Sequence, residues 1–268
     1  ARHYGQLGFG VELQVRYHPR PQQNGDIGAW LGYVRDVVRA FGPIKAVRAL
    51  QITNEVNLTV SPNTSDGAWL NSTRALVAGV KTAQRYSNRL GFGHLKIGFN
   101  FAWRFGAEAD ADFWDRLAAV GGKELRQATD WVGIDLYPGT YLPPRVSISN
   151  YGDAFLEAIA QMRECYMPKA GFGPRFPLKV EETGWPTGPG RSEEEQAQVL
   201  RQFVDTAHRY RGTYKVTDFR WFGRRDNNSD GPDYQSYFGL LRSNYSKKPA
   251  FYEYLTRVSK LGAGRSSR

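Results

Sequence analysis

The sequence predicts an α/β fold organised on a parallel sheet, and three observations predict it. Six short β-patterned runs, near 11–17, 47–54, 95–101, 131–137, 178–182 and 216–222, alternate with stretches whose apolar residues recur at helical spacing. The tripeptide Gly-Phe-Gly stands at 8–10, 91–93 and 171–173, each time between a helical stretch and a β run, as one helix-to-strand turn used three times. It precedes strands and opens no helix, so it is not a nucleotide loop. Finally, the runs end in unusual residues: Asn54-Glu55, then Asn100 and Trp103, then Asp135 and Tyr137, then Glu182 and Trp185, then Trp221.

In chain order, residues 1–7 read as a last helical turn closed by Gly8. Val11 to Tyr17 alternate as a strand and Pro19 and Pro21 end it. Trp30, Tyr33, Val34, Val37, Val38 and Phe41 share a helix face that Gly42-Pro43 terminates. After the run to Glu55, a helix is expected to take in Trp69, Leu70, Leu76, Val77 and Val80 and to stop near Gly91. Phe113, Trp114 and Leu117 mark the next helix, and Phe155, Leu156, Ile159 and Met162 the one after. Ser192 and Glu195 make a capping box ahead of Val199, Leu200, Phe203, Val204 and Ala207. Pro249 opens a last helix with Phe251, Tyr254, Leu255 and Val258 on one face. Trp30, Trp69 and Trp114 are expected in the core, and so is Cys165.

The bulk composition bounds the function. A chain of 268 residues, 41% of them hydrophobic, is long enough for one large domain, 1–268, with its own core. No apolar run reaches the roughly 18 residues of a membrane span, and no signal peptide is visible. One cysteine forbids an internal disulfide. The net charge of +10 is spread along the chain without any nucleic-acid module, which argues against nucleic acid as a partner and for a diffuse basic surface suited to anionic polymers or cell walls. A secreted or wall-associated location fits that surface.

The strand ends carry the chemistry. In a parallel barrel, catalytic groups project from the C-terminal ends of strands. Aromatic faces beside polar edges suit a sugar, and two strand-end glutamates suit glycoside cleavage, where carboxyls about 5–5.5 Å apart act as nucleophile and acid/base. Such chemistry calls for no cofactor and no metal. Asn54 is placed to hydrogen-bond a sugar hydroxyl and Tyr137 to hold a nucleophilic carboxylate ionised. Asn100, Trp103, Trp185 and Trp221 are further candidate substrate contacts, with His18, which follows the first strand.

These motifs resemble those of the clan A retaining glycoside hydrolases. Ile52-Thr53-Asn54-Glu55-Val56 resembles the clan's acid/base motif at the end of the fourth barrel strand. Glu182-Thr183-Gly184-Trp185-Pro186 resembles its nucleophile motif at the end of the seventh, and the Gly-Trp-Pro is most similar to the family 17 β-1,3-glucanases. The resemblance implies a TIM-type (β/α) barrel, Glu55 as acid/base and Glu182 as nucleophile, with a β-glucan or related oligosaccharide as substrate. Glu181, on the opposite face by strand alternation, is the less suitable nucleophile. Trp221 matches the aromatic at the end of strand eight, and Phe238-Gly239-Leu240 followed by Lys248-Pro249-Ala250-Phe251 resembles the approach to the last helix. The fourth-strand motif lies only some fifty residues in. The expectation is therefore a barrel of six visible units that lacks the first two strand-helix units: either a truncated form whose gap another chain, as in a homo-oligomer, or a rearranged segment closes, or a natural partial barrel with weak or absent catalysis. Transglycosylation on the same scaffold and non-catalytic sugar binding are the alternative activities. The acid- and amide-rich stretch from Asp226 to Asp233 lacks a calcium loop's ligand spacing and reads as a polar loop.

Overall fold

A computed structural model describes residues 1–103, 107–141 and 148–262. All six β runs are strands: β1 (Val11–Val15), β2 (Val47–Ile52), β3 (Lys96–Ala102), β4 (Trp131–Asp135), β5 (Leu178–Thr183) and β6 (Val216–Trp221). They follow one another in sequence order in a six-stranded sheet, with helix between each consecutive pair. Six parallel strands alternating with helices are the (β/α) arrangement of a TIM-type barrel. The chain divides into two compact units, Ala1–Asp135 with Met162–Lys179, and Leu136–Gln161 with Val180–Arg268.

The first unit holds α1 (Arg2–Gln6), α2 (Ile27–Phe41), α3 (Ser72–Arg89), α4 (Ala107–Ala128) and the short α6 (Met167–Lys169). Asp26 caps α2 by accepting from the Ala29 amide at 2.9 Å, and the helix buries Trp30, Val34, Val37 and Val38. Helix α3 starts later than its apolar pattern suggests. Asn71 adopts φ 60°, so the helix begins at Ser72, and Trp69 and Leu70 lie ahead of it. Leu70 is 63% exposed. Helix α4 breaks at Gly122, whose φ of 55° and ψ of −155° are not helical. Phe99 and Phe101 of β3 pack on Phe113, Trp114 and Phe172 with ring centroids 5.4 to 6.2 Å apart. Each such buried ring contributes about 1.5–3 kcal/mol.

The Gly-Phe-Gly repeat is one turn built three times. The amides of Phe9, Phe92 and Phe172 donate to the carbonyls of Tyr4, Ser87 and Met167, five residues back. Those of Gly8, Gly91 and Gly171 donate to Gly5, Asn88 and Pro168, three back. With φ of 84°, 75° and 76° at these glycines, each is a complete Schellman cap that turns the helix end toward the next strand.

The sheet curls within this unit. Glu12 of β1 pairs with Lys179 of β5 at 2.6 Å, and the ammonium of Lys179 lies 4.0 Å over the Trp131 ring of β4. Four strand spacings in a flat sheet come to about 19 Å, so these side chains meet only across a concave face. Cys165 is exposed, against expectation; it lies in the π-helical turn Met162–Tyr166, whose buried residues are Met162, Arg163 and Tyr166.

The second unit holds α5 (Tyr151–Gln161), α7 (Glu193–Tyr210), α8 (Pro249–Gly262) and β6. The capping box of α7 is formed: the Glu195 amide donates to Ser192 Oγ at 3.0 Å, and the Ser192 amide to Glu195 Oε2 at 2.8 Å. Leu200 and Val204 of α7 meet Ala250 of α8, with Phe219 and Trp221 of β6 and Phe251 and Tyr254 of α8 against them. Lys248 is buried and donates to Asp226 at 2.8 Å and to Thr187 Oγ1 and the Tyr237 carbonyl at 3.0 Å each, which ties the segment after β6 to the one after β5. Asp226 also accepts from Ser229 Oγ and the Gly239 amide, and Asp233 caps Gln235, so the acid-rich stretch is internally bonded. Among the described residues no helix is long and apolar enough to cross a membrane.

Candidate active site

In the first unit, β2 ends in backbone that L-residues rarely adopt. Thr53 has φ 67° and Glu55 φ 46°, flanking Asn54. Left-handed conformation at non-glycine residues costs about 1–2 kcal/mol each and persists only where neighbours enforce it. Asn100, at the end of β3, is one of those neighbours. Its Oδ1 accepts from the Glu55 amide at 2.9 Å, and its Nδ2 donates to Asn54 Oδ1 at 2.8 Å and to the Asp135 carboxylate at the end of β4. The structure thus brings together Asn54, Glu55, Asn100 and Asp135. Trp103, also buried, joins the group through its amide, which donates to the Asp135 carbonyl at 2.8 Å.

The surroundings of Asn54 are not visible in its motif. It is 4% exposed. Its Oδ1 accepts from Gln14 at 2.9 Å and Gln51 at 3.2 Å besides Asn100, and its Nδ2 donates to the Thr64 carbonyl at 2.8 Å. That oxygen is occupied within the protein. Asp66, which the sequence did not single out, takes the Asn54 amide. Burial pushes the Asp66 carboxyl up, against the lowering effect of Arg16 and of the Tyr17 and Asn54 amides. His18 is exposed at the end of β1 and stands edge-on to Trp69, ring centroids 4.9 Å apart.

In the second unit, the Tyr137 phenol donates to Glu182 Oε2 at 2.8 Å. The Tyr137 ring is edge-packed by Phe222 at 6.3 Å and Phe238 at 5.7 Å. Gly184 is where these segments meet: a Cβ there would stand 2.5 Å from the Phe222 carbonyl oxygen and 2.9 Å from Phe238, which accounts for the glycine of the Glu-Thr-Gly-Trp-Pro motif. Glu181 pairs with Arg220 of β6, so the two adjacent glutamates have different partners. Trp185 is 3% exposed, with the Arg191 guanidinium 4.9 Å over its ring. Trp221 packs among α7 and α8 and donates its indole N–H to the Phe238 carbonyl at 3.1 Å. The aromatic at the end of β6 that reaches Tyr137 is therefore not Trp221 but Phe222, one residue on, 47% exposed. Alternation was the signal for it: Phe219 and Trp221 share the helix-facing side, and Phe222 takes the other.

No protein-family model and no curated protein sequence matches the chain. Solved structures do match in fold. An active-site mutant of Rhizomucor miehei β-1,3-glucanosyltransferase, in complex with laminaritriose, superposes with a TM-score of 0.59 at 16% identity, over 92% of this chain and 77% of that one. The β-glucuronidase of Bacteroides uniformis gives 0.62 at 15% identity over 92% of this chain, and the β-D-glucuronidase of Dictyoglomus thermophilum 0.58 at 13% over 86%. The chain spans only 28% and 35% of these two glucuronidase chains. At such identities the likeness is one of fold, that of the TIM-type (β/α) barrel.

Proposed function

We propose that the protein is a retaining glycoside hydrolase that cleaves β-glycosidic bonds in a glucan or related oligosaccharide by double displacement, with Glu182 as nucleophile and Glu55 as acid/base. The observation that carries this reading is the Tyr137 phenol on Glu182 Oε2 at the C-terminal end of β5. A phenol donor stabilises the ionised carboxylate, the form that attacks an anomeric carbon. Glu55 follows the end of β2 with its amide held by Asn100; as acid/base it gives a proton to the leaving oxygen and later takes one from water. The reading requires the two carboxyls to stand about 5–5.5 Å apart when substrate is bound. Transglycosylation, with a sugar replacing water as acceptor, is the second reading, favoured by the glucanosyltransferase among the fold neighbours.

Substitution separates the two roles. Glu182→Gln is expected to abolish turnover of every substrate. Glu55→Ala is expected to lose poor leaving groups, to keep some turnover of activated aryl β-glycosides, and to yield a β-glycosyl azide when azide is added. An α-configured azide, or identical behaviour of the two variants, overturns the assignment. Product analysis at high acceptor concentration separates hydrolysis from transfer.

A further inference from the structure

Asp66 is a completely buried carboxylate for which the proposed chemistry has no use. Its oxygens accept from the Arg16 Nε at 2.7 Å, the Tyr17 amide at 2.7 Å and the Asn54 amide at 2.8 Å, and its own amide donates to the Asn54 carbonyl at 2.8 Å. Asn54 is thus gripped through both backbone groups by one residue. The grip continues past Glu55. A Cβ on Gly67 would stand 2.4 Å from the Val56 carbonyl oxygen and 2.1 Å from that of Leu58, so the 66–67 backbone lies directly against the residues that follow Glu55. The loop that delivers Asp66 is itself fixed, with the Ser65 amide and hydroxyl both donating to the Ser61 carbonyl at 2.9 and 3.0 Å.

These contacts enclose the two left-handed residues, Thr53 and Glu55. A turn of that kind relaxes toward ordinary backbone unless its surroundings hold it, and relaxation would swing the Glu55 side chain. We propose that Asp66 is a positioning residue: its carboxylate, paired with Arg16, holds the Thr53–Glu55 turn and thereby aims the Glu55 carboxyl at the leaving oxygen. This rests on the acid/base reading of Glu55.

The test compares leaving groups. A misaimed acid harms substrates that need protonation and spares those that do not, whereas a general loss of structure harms both alike. In Asp66→Asn, kcat/KM on a β-glucan oligosaccharide is expected to fall about 10- to 100-fold more than kcat/KM on a 2,4-dinitrophenyl β-glycoside; kcat/KM reports the first step, in which Glu55 acts as acid, and leaves out the second, in which it acts as base on every substrate. Equal losses on the two substrates, or none, overturn the proposal. Arg16→Lys, which keeps the charge but not the fork, is expected to show the same selectivity at smaller amplitude, and serves if Asp66→Asn does not fold. If the unsubstituted protein turns over neither substrate, the glycosidase reading fails by itself. Amide exchange then decides the clamp: protection at 53–55 lost in the Arg16 or Asp66 variant supports it, and unchanged protection overturns it.

Discussion

Tyr137 joins the carboxylate of the proposed nucleophile to an aromatic cluster, and its hydroxyl is the part that touches that carboxylate. Tyr137→Phe keeps the ring contacts to Phe222 and Phe238 and deletes one hydrogen bond to an ionised group, an interaction worth about 1.5–3 kcal/mol. The expected result is a fall in kcat of about 10- to 100-fold, with a melting temperature lowered by no more than that one hydrogen bond accounts for, read by steady-state kinetics and calorimetry. An unchanged kcat would separate Tyr137 from the reaction. At this scale the sequence was partly legible. Glu182 and Tyr137 were recognisable because strand ends and turn residues mark them. Asp66 was not, because it lies in a loop of serine, threonine and asparagine whose partners, Arg16, Tyr17 and Asn54, come from the segments that follow β1 and β2, and such pairings have no local pattern. Asn54 reads as a substrate contact in its motif, yet Gln14, Gln51 and Asn100 converge on its side-chain oxygen from three strands. Trp221 and Phe222 differ by one position, and one position in a strand changes the face.

Helices α7 and α8 show what side chains add to a well-patterned element. Glu253 of α8 accepts from Arg257 on its own helix at 2.9 Å and from Arg201 of α7 at 3.1 Å. Partial burial opposes its ionisation, but the two guanidinium hydrogen bonds outweigh it and hold the carboxyl below the usual range. A carboxyl whose pKa is lower folded than unfolded stabilises fully above its unfolded value of about 4.3, and that stabilisation disappears as pH falls through the folded value. Glu253→Gln is therefore expected to lower the melting temperature at neutral pH and to make no difference at the acid end, below both values. A gap between the two proteins that persists under strong acid would show that Glu253 acts by packing alone. The capping box and apolar face of α7 were legible in the sequence because both are local. The start of α3 was not, since its apolar pattern continues backward through Leu70 and Trp69 and only the left-handed Asn71 stops it.

For the molecule as a whole, burial is graded across the sheet. Strands β2, β3 and β4 are buried at nearly every position, while β6, at one end of the strand order, is buried at none. Backbone hydrogen bonds open with free energies that track such burial. Hydrogen exchange is expected to be slowest in β2–β4 and faster by orders of magnitude in β6. Uniform protection from β1 to β6 would mean that something outside the described contacts covers that last strand.

The pair between Glu12 and Lys179 spans 167 residues of sequence. On a ribosome adding about 5–20 residues per second, Glu12 emerges roughly 8–30 s before its partner. Through that interval the concave face of β1 has its carboxylate but no ammonium and no indole of Trp131 to close over it. A charged residue there keeps the waiting strand soluble, as inward-pointing charges do at sheet edges. The same glutamate that later closes the curl of the sheet thus guards the nascent chain against pairing with the wrong neighbour.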